Sequence, residues 1–123
     1  MEWSPFTENL FAVATAQNFG IIGNGALCLY SETGGYIKRL AVHETPDGVY
    51  DCAWSEQKES QIAFGCGDGT VKLLDTKNDK VLQTWNEHSA EVYAVAWNPI
   101  NREQVLSGSW DHTLKLWHVD TNI

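Results

Sequence analysis

The feature that most constrains this sequence is a segment that occurs twice without a gap. Residues 61–75 read QIAFGCGDGTVKLLD and residues 104–118 read QVLSGSWDHTLKLWH, so equivalent positions lie 43 residues apart. The same offset relates Val49-Tyr50 to Val92-Tyr93, and Ala53-Trp54 to Ala96-Trp97. An ungapped internal repeat predicts similar structural units that stack side by side and share their cores.

Within each copy, the apolar residues indicate two strands joined by a tight polar turn. In the second copy, Leu114 and Leu116 fall on one face, and Thr113, Lys115 and Trp117 fall on the other. This period of two is typical of a β-hairpin with one buried face. No ten-residue window has helical apolar spacing without an interruption, so we predict an all-β chain.

A repeat of about 40–45 residues with four strands per copy is the period of a β-propeller blade. We therefore predict a partial propeller of about three four-stranded antiparallel blades, near residues 3–42, 49–85 and 92–118. The first blade is an irregular copy. Its residues before position 17 match residues 61–75 at an offset of 51, and those after position 24 match at an offset of 44, so we predict a seven-residue insertion within residues 17–24. The third is expected to lack its outer strand, which would begin near Ile123.

Composition excludes several classes of partner. Sixteen acidic residues against eight Lys and Arg give a net charge of −8, which disfavours a nucleic-acid backbone and favours basic partners. No apolar run is long enough to cross a membrane, so direct membrane insertion is not expected. Cys28, Cys52 and Cys66 show no C-x-x-C spacing, and the N-terminus lacks a secretory signal, so we expect free thiols in a reducing compartment.

No motif predicts catalysis, a cofactor or a metal. The four histidines have no second ligand at helical spacing, and His112 and His118 fall at opposite ends of one strand, about 20 Å apart. The order G-x-S-x-G is absent, and Gly65-x-Gly67-x-Gly69 leads into a strand, with no helix N-terminus for a phosphate. The chain is therefore not expected to be an enzyme.

The second copy resembles a WD40 repeat. In that family, a loop His, a strand Ser, a turn Asp and a strand Trp form a hydrogen-bonded set within each blade. The resemblance places His88, Ser107, Asp111 and Trp117 in these roles. In the first copy it retains the turn residue, as Asp68, whereas Thr45, Gly65 and Leu74 stand at the His, Ser and Trp positions.

A narrower resemblance covers nearly the whole chain. It is similar to the N-terminal part of the type 2 peroxisomal targeting-signal receptors, the peroxin-7 family. The segments that carry this resemblance are Glu2-Trp3-Ser4-Pro5-Phe6, Ala14-Thr15-Ala16-Gln17 with Gly20-Ile21 and Gly23-x-Gly25, Asp47-Gly48-Val49-Tyr50-Asp51, Glu91-Val92-Tyr93 and Gly108-Ser109-Trp110-Asp111. The family's full chain is a single seven-bladed propeller, so this chain resembles a truncated product or gene model.

The resemblance implies a receptor that binds proteins. Its cargo would carry an N-terminal type 2 peroxisomal targeting signal of the form (R/K)-(L/V/I)-x5-(H/Q)-(L/A), read as an amphipathic helix on the propeller face. A co-receptor peroxin would cover the signal, and the complex would bind docking peroxins at the membrane. The receptor would be cytoplasmic and would cycle to the peroxisome and its matrix.

Five residues are predicted to bind cargo or a partner, because they fall on loops and turns at one face of the propeller. They are Asp47, Tyr50, Glu91, Tyr93 and Trp110. An acidic rim with aromatic anchors suits a ligand with an Arg or Lys head and Leu ridges. Alternatively, the tyrosines line the channel wall and Trp110 shields its turn, and the chain is a WD40 interaction scaffold without a targeting role.

An incomplete propeller leaves the sides of its first and last blades open. Blades share their cores with their neighbours, so an isolated set of them is marginally stable. We therefore expect this 123-residue chain on its own to be aggregation-prone, or to fold only with a partner.

Overall fold

The computed structural model of the chain describes residues 1–17 and 24–119. It contains eleven strands, which are β1 (Glu2–Trp3), β2 (Leu10–Ala16), β3 (Gly25–Thr33), β4 (Tyr36–Thr45), β5 (Val49–Trp54), β6 (Gln61–Cys66), β7 (Val71–Asp75), β8 (Lys80–Trp85), β9 (Val92–Trp97), β10 (Gln104–Ser109) and β11 (Leu114–His118). Over these residues there is no helix, and therefore none that is long and apolar enough to span a membrane.

The strands form three antiparallel sheets in chain order. The first sheet has the order β1-β2-β3-β4, the second β5-β6-β7-β8, and the third β9-β10-β11, so every connection joins neighbouring strands. The second and third sheets repeat one register, with Phe64 opposite Lys72 in one and Ser107 opposite Lys115 in the other. The prediction of an all-β partial propeller with an incomplete third blade is confirmed for the described part of the chain.

The central strand β6 explains why the repeat is so apolar. All six of its residues are buried, because the strand has a sheet on each side. Ile62 and Phe64 belong to the core shared with the first sheet, whereas Ala63 belongs to the core shared with the third. Alternate residues of one strand therefore fill two different cores, as the pleat requires.

The second and third sheets pack through small and branched side chains. Ala53, Ala63, Val71 and Leu73 of the second sheet form one core with Val92, Val95 and Val105 of the third. The first and second sheets pack in the same way, since Ala12, Leu27 and Leu29 meet Cys52, Ile62 and Phe64. The sheets therefore lie side by side with their innermost strands, β1, β5 and β9, in contact along the chain order.

A hydrogen bond from an inner-strand tryptophan occurs both between the first and second sheets and between the second and third sheets. The Trp54 indole N–H donates to the Glu2 carbonyl oxygen at 3.1 Å, and the Trp97 indole N–H donates to the Ala53 carbonyl oxygen at 2.8 Å. Asp51 adds a further link, because its carboxylate accepts the Val95 backbone N–H at 3.0 Å. Each bond crosses from one sheet to the next and fixes their relative positions.

Strand β4 is longer than the sequence predicted. The predicted first blade ends near residue 42, but β4 continues to Thr45 because Gly25, Ala26 and Leu27 of β3 supply backbone partners for it. The predicted insertion lies mostly in residues 18–23, outside the described residues. At its edges the Gln17 N–H donates to the Asn24 carbonyl oxygen at 3.1 Å.

The three cysteines are free and buried. Burial raises the pKa of the Cys52 and Cys66 thiols to about 11. Both thiols are therefore protonated at neutral pH and are packing groups, since the thiolate is the nucleophile.

One face of the third sheet is uncovered. Leu106, Leu114 and Leu116 are 43%, 71% and 56% exposed, whereas their second-sheet equivalents Ala63, Val71 and Leu73 are fully buried. The residues that pack against another sheet in one repeat thus face solvent in the next. Contiguous exposed apolar surface of this kind favours association.

We predict that Leu116→Lys reduces self-association of the chain, because it places a charge in the centre of this face. Sedimentation velocity should show concentration-dependent association of the wild type and a shift towards monomer in the variant. Leu40→Lys is the matched control, because Leu40 is 53% exposed but lies on β4. A wild-type chain that is a monodisperse monomer with a sharp cooperative melt would contradict the prediction.

Candidate functional site

The structure brings three of the predicted binding residues into one aromatic cluster, formed by Tyr50, Tyr93 and Trp110. The Trp110 ring lies between the two tyrosines, with centroid distances of 5.9 Å to Tyr50 and 6.4 Å to Tyr93. Trp110 and Tyr93 are 57% and 46% exposed, so the cluster presents flat apolar rings to solvent. Tyr50 comes from the second sheet and the other two from the third, so the cluster bridges two sheets.

Backbone contacts place the Trp110 side chain in this position. The Trp110 N–H donates to the Glu91 carbonyl oxygen at 3.0 Å, which ties the β10–β11 turn to the loop before β9. The equivalent bond in the second sheet runs from Gly67 to Gly48 at 2.8 Å. The Tyr50 ring lies beside Gly67, where a Cβ would be in ordinary van der Waals contact with that ring, 3.4 Å away.

Acidic residues lie around the cluster. Burial raises the pKa of the Tyr50 hydroxyl, and the negative charges of Glu91 and Asp47 raise it further. Asp47 and Glu91 precede the inner strands β5 and β9, and both are partly exposed. The five predicted binding residues therefore lie in one region, in which carboxylates flank a row of aromatic rings.

The second predicted set forms a hydrogen-bonded network in the third sheet. The His88 ring contacts the Asp111 carboxylate through Nδ1 at 2.9 Å and the Ser107 hydroxyl through Nε2 at 2.7 Å. The Trp117 indole N–H donates to the Ser107 oxygen at 2.8 Å. All four residues are satisfied if Ser107 donates to Nε2 and Nδ1–H donates to Asp111.

Thr113 also belongs to this network, and sequence reasoning missed it. Its backbone N–H donates to the Asp111 carboxylate at 2.9 Å, and its hydroxyl oxygen lies 3.2 Å from His88 Nδ1. The Thr113 hydroxyl, the His88 ring and the Ser89 N–H lower the pKa of Asp111, against the opposing effect of burial. The presence of the same residue in both copies, as Thr70 and Thr113, was the available signal.

In the second sheet, Asp68 has a different role. Its carboxylate accepts the Thr70 backbone N–H at 3.0 Å, which repeats the turn of the third sheet. The strand register places Phe64, and not Gly65 as the sequence predicted, at the Ser position, since Phe64 lies opposite Lys72 as Ser107 lies opposite Lys115. No His–Ser–Trp set surrounds Asp68, because Thr45, Phe64 and Leu74 occupy those positions and the last two lie in an apolar core. Gly69 follows with a φ of 88°, and a Cβ there would lie 2.4 Å from the His88 carbonyl oxygen, so the turn requires glycine.

The described residues offer no group suited to hold a metal. Over residues 1–17 and 24–119, no set of three His, Cys, Asp or Glu side chains could bind one ion. An open cavity of about 520 Å³ lies beside the aromatic cluster, lined by Tyr93, Ser109, Trp110, His112, Thr113 and Leu114. Its walls are suited to contact with another polypeptide through apolar surface and hydrogen bonds.

Comparison with known proteins identifies the repeat. The family model of the WD domain, G-beta repeat, matches residues 34–75 and 79–118. Each match spans the outer strand of one sheet and the first three strands of the next, so the sequence repeat is offset from the sheet by one strand.

Curated relatives align along almost the whole chain. The chain is 39% identical over 96% of its length to the peroxisomal targeting signal 2 receptor of Dictyostelium discoideum, and 41% identical over 94% to that of Homo sapiens. It is 41% identical over 98% of its length to peroxisome biogenesis protein 7 of Arabidopsis thaliana. These alignments cover 38%, 36% and 39% of the relatives, so the chain spans less than two fifths of their length. The relatives carry the names of receptors and a biogenesis protein, in agreement with the expectation of a non-enzymatic function.

We predict that Ser107→Ala lowers the free energy of unfolding by about 1–3 kcal/mol, because His88 Nε2 and the Trp117 indole lose a shared buried partner. Chemical denaturation followed by tryptophan fluorescence measures this change. Ser89→Ala is the matched control, since the Ser89 side chain is exposed and its backbone N–H is retained. Equal losses in the two variants would show that the network does not stabilise the sheet.

The lowered pKa of Asp111 predicts a loss of stability in acid. The unfolded carboxyl has an ordinary pKa of about 4, whereas the folded one remains ionised at lower pH. Its stabilising effect is therefore complete above the unfolded pKa and is lost as the pH falls towards the folded pKa. The difference in melting temperature between wild type and Asp111→Asn should be largest above about pH 5 and should narrow towards about pH 2. Glu87→Gln, which removes an exposed carboxylate, is the control, and its difference in melting temperature from the wild type should not narrow in the same way. A difference in melting temperature between wild type and Asp111→Asn that is independent of pH would refute the prediction.

Proposed function

The chain belongs to the WD40-repeat family, and from this premise we propose that it is part of a peroxisomal import receptor that binds the type 2 targeting signal of cargo proteins. The proposal is supported by relatives that are named peroxisomal targeting signal 2 receptors and that align with 94–96% of this chain. The observation that carries it is the aromatic cluster of Tyr50, Tyr93 and Trp110 with its flanking carboxylates.

The chemistry of this region suits the signal described above. A helix with a basic residue followed by a branched apolar residue needs a carboxylate next to a flat apolar surface. Asp47 and Glu91 would pair with the Arg or Lys through charge-assisted hydrogen bonds. The rings of Trp110 and Tyr93 would receive the apolar ridge, as an amphipathic helix lies in a groove.

The acidic charge of the chain adds a longer-range effect. A net charge of −8 attracts a basic signal and accelerates its encounter with the receptor. Tryptophan and tyrosine at the centre of an interface also contribute most of the binding energy per residue. We therefore assign Trp110 the largest single contribution and the two carboxylates the preference for a basic residue.

The same proposal includes the partners that the resemblance implies. A co-receptor peroxin would cover the bound signal, because a short helix on an open face leaves one side exposed. Docking peroxins would then receive the complex at the peroxisome, and the receptor would cycle between the cytoplasm and that organelle. In this scheme the chain contributes the acidic and aromatic part of the signal-binding face.

We predict that Trp110→Ala weakens binding of a fluorescent signal nonapeptide by about tenfold or more, which is the loss typical of a central aromatic residue. Fluorescence anisotropy measures the dissociation constants. Because the chain spans less than two fifths of the receptors it resembles, weak binding is expected, and the ratio between variants is the informative quantity.

Tyr36→Ala is the matched control for this test. Tyr36 is 82% exposed and lies at the β3–β4 turn. The Gly25–Thr45 pair lies at the opposite end of these two strands, which is the end where the chain continues to Asp47. A second control is a peptide with its Arg and Leu exchanged for Asp. If the native and exchanged peptides bind equally, the targeting function is wrong and the scaffold alternative is favoured. If Tyr36→Ala weakens binding as much as Trp110→Ala, the assignment of the face is wrong.

A further inference from the structure

The two contacts between consecutive sheets differ at one pair of equivalent positions. In the contact between the second and third sheets, Trp85 and Trp117 stack with their ring centroids 5.6 Å apart and their planes 20° apart. Both indoles pack against the core of that contact. Together they fill the space between an outer strand of one sheet and the third strand of the next.

The strand registers identify the corresponding residues at the first contact. His43 lies opposite Leu27 as Trp85 lies opposite Val71, and Leu27 and Val71 are equivalent positions. Leu74 occupies the place of Trp117, since the two residues are 43 positions apart in the repeat and lie opposite Ile62 and Val105. An imidazole and an isobutyl group therefore stand where the other contact has two indoles.

The smaller side chains leave a cavity. Its volume is about 240 Å³, and its lining residues are Leu27, Leu29, Ala41, Val42, His43, Leu74, Thr76 and Asp79. The three leucines are buried, so most of the wall is apolar. A dry apolar cavity of about 150 Å³ is large enough to accept benzene, so this one can hold a larger aromatic ring.

One end of the cavity is polar. His43 Nδ1 and the Asp79 carboxylate lie 2.8 Å apart, and the Asp79 side chain is 68% exposed, so this end faces solvent. Three of the indoles at these contacts donate their N–H to an oxygen: Trp54 to Glu2, Trp97 to Ala53 and Trp117 to Ser107. An indole in this cavity would find the same kind of acceptor in the Asp79 carboxylate.

We propose that this cavity is a binding site for an aromatic side chain, tryptophan above all, presented by a partner polypeptide. The equivalent space at the neighbouring contact is filled by tryptophan side chains of the chain itself, which shows that the geometry between two such sheets accepts an indole on a polypeptide. The site includes none of the aromatic cluster residues and is independent of the proposed cargo-binding function.

The test uses N-acetyl-tryptophanamide as the probe and the ¹³C methyl signals of Leu27 and Leu29 as reporters. The full chain carries Leu116→Lys in all arms, a change on the third sheet that reduces association. We expect saturable shifts of both reporters in the millimolar range that suits a single side chain. N-acetyl-leucinamide should bind several-fold more weakly.

The matched variant is His43→Trp/Leu74→Trp, which restores the indole pair of the other contact. It should abolish the shifts and keep or raise the melting temperature, because the cavity is filled from within. If it does not fold, Leu29→Phe, which adds a ring to the same wall, takes its place and should weaken binding, with Leu27 alone as reporter.

Three results would overturn the proposal. The first is the absence of saturable shifts in the chain with an open cavity. The second is unchanged shifts in the filled variant, which would place the probe elsewhere. The third is saturation by free indole but not by N-acetyl-tryptophanamide, which would make the ligand a small molecule and exclude a polypeptide side chain.

Discussion

The structure depends on the packing of each sheet against the next through alternate residues of the same strands. Ala63 and Ile62, adjacent in β6, belong to different cores, one shared with the third sheet and one with the first. No sheet can bury both of its faces alone, so stability comes from neighbours and not from a single closed core. The indoles of Trp54 and Trp97 each donate a hydrogen bond to the preceding inner strand. These bonds are directional and fix the relative positions of the sheets, whereas hydrophobic burial is non-directional.

The candidate site is a consequence of that packing. Tyr50 and Trp110 are 60 positions apart and lie on different sheets, and their rings meet because β5 and β9 are neighbours. The loops that carry Asp47 and Glu91 lead into the inner strands β5 and β9, which places the two loops at equivalent ends of adjacent sheets. The proposed binding face is thereby assembled from residues that the blades do not need for their own cores.

The two contacts also show that one backbone arrangement tolerates two kinds of interior. In the third sheet, His88, Ser107 and Trp117 form a polar network in which each buried polar atom has a partner. In the second, Phe64 and Leu74 occupy equivalent positions and build an apolar core. Replacing both partners of a buried polar contact by apolar groups can be nearly neutral, whereas replacing one is costly. The polar residues of this network are therefore all replaced together in the other repeat. The cavity beside His43 remains where the smaller side chains do not fill the space that the indoles occupy at the other contact.

The sequence by itself determined the class, the repeat and most of the strands, because an offset of 43 residues and alternation within each copy are local patterns. It also placed the turn residues Asp68 and Asp111, which recur in both copies. The tertiary structure decided what depends on neighbouring sheets: that Tyr50, Tyr93 and Trp110 form one cluster, that β4 continues to Thr45, and that Leu116 is exposed while Leu73 is buried. These outcomes could not be read from the pattern, because equivalent side chains have the same periodicity whether or not another sheet covers them. Their environment is set by contacts between units that are distant in the chain.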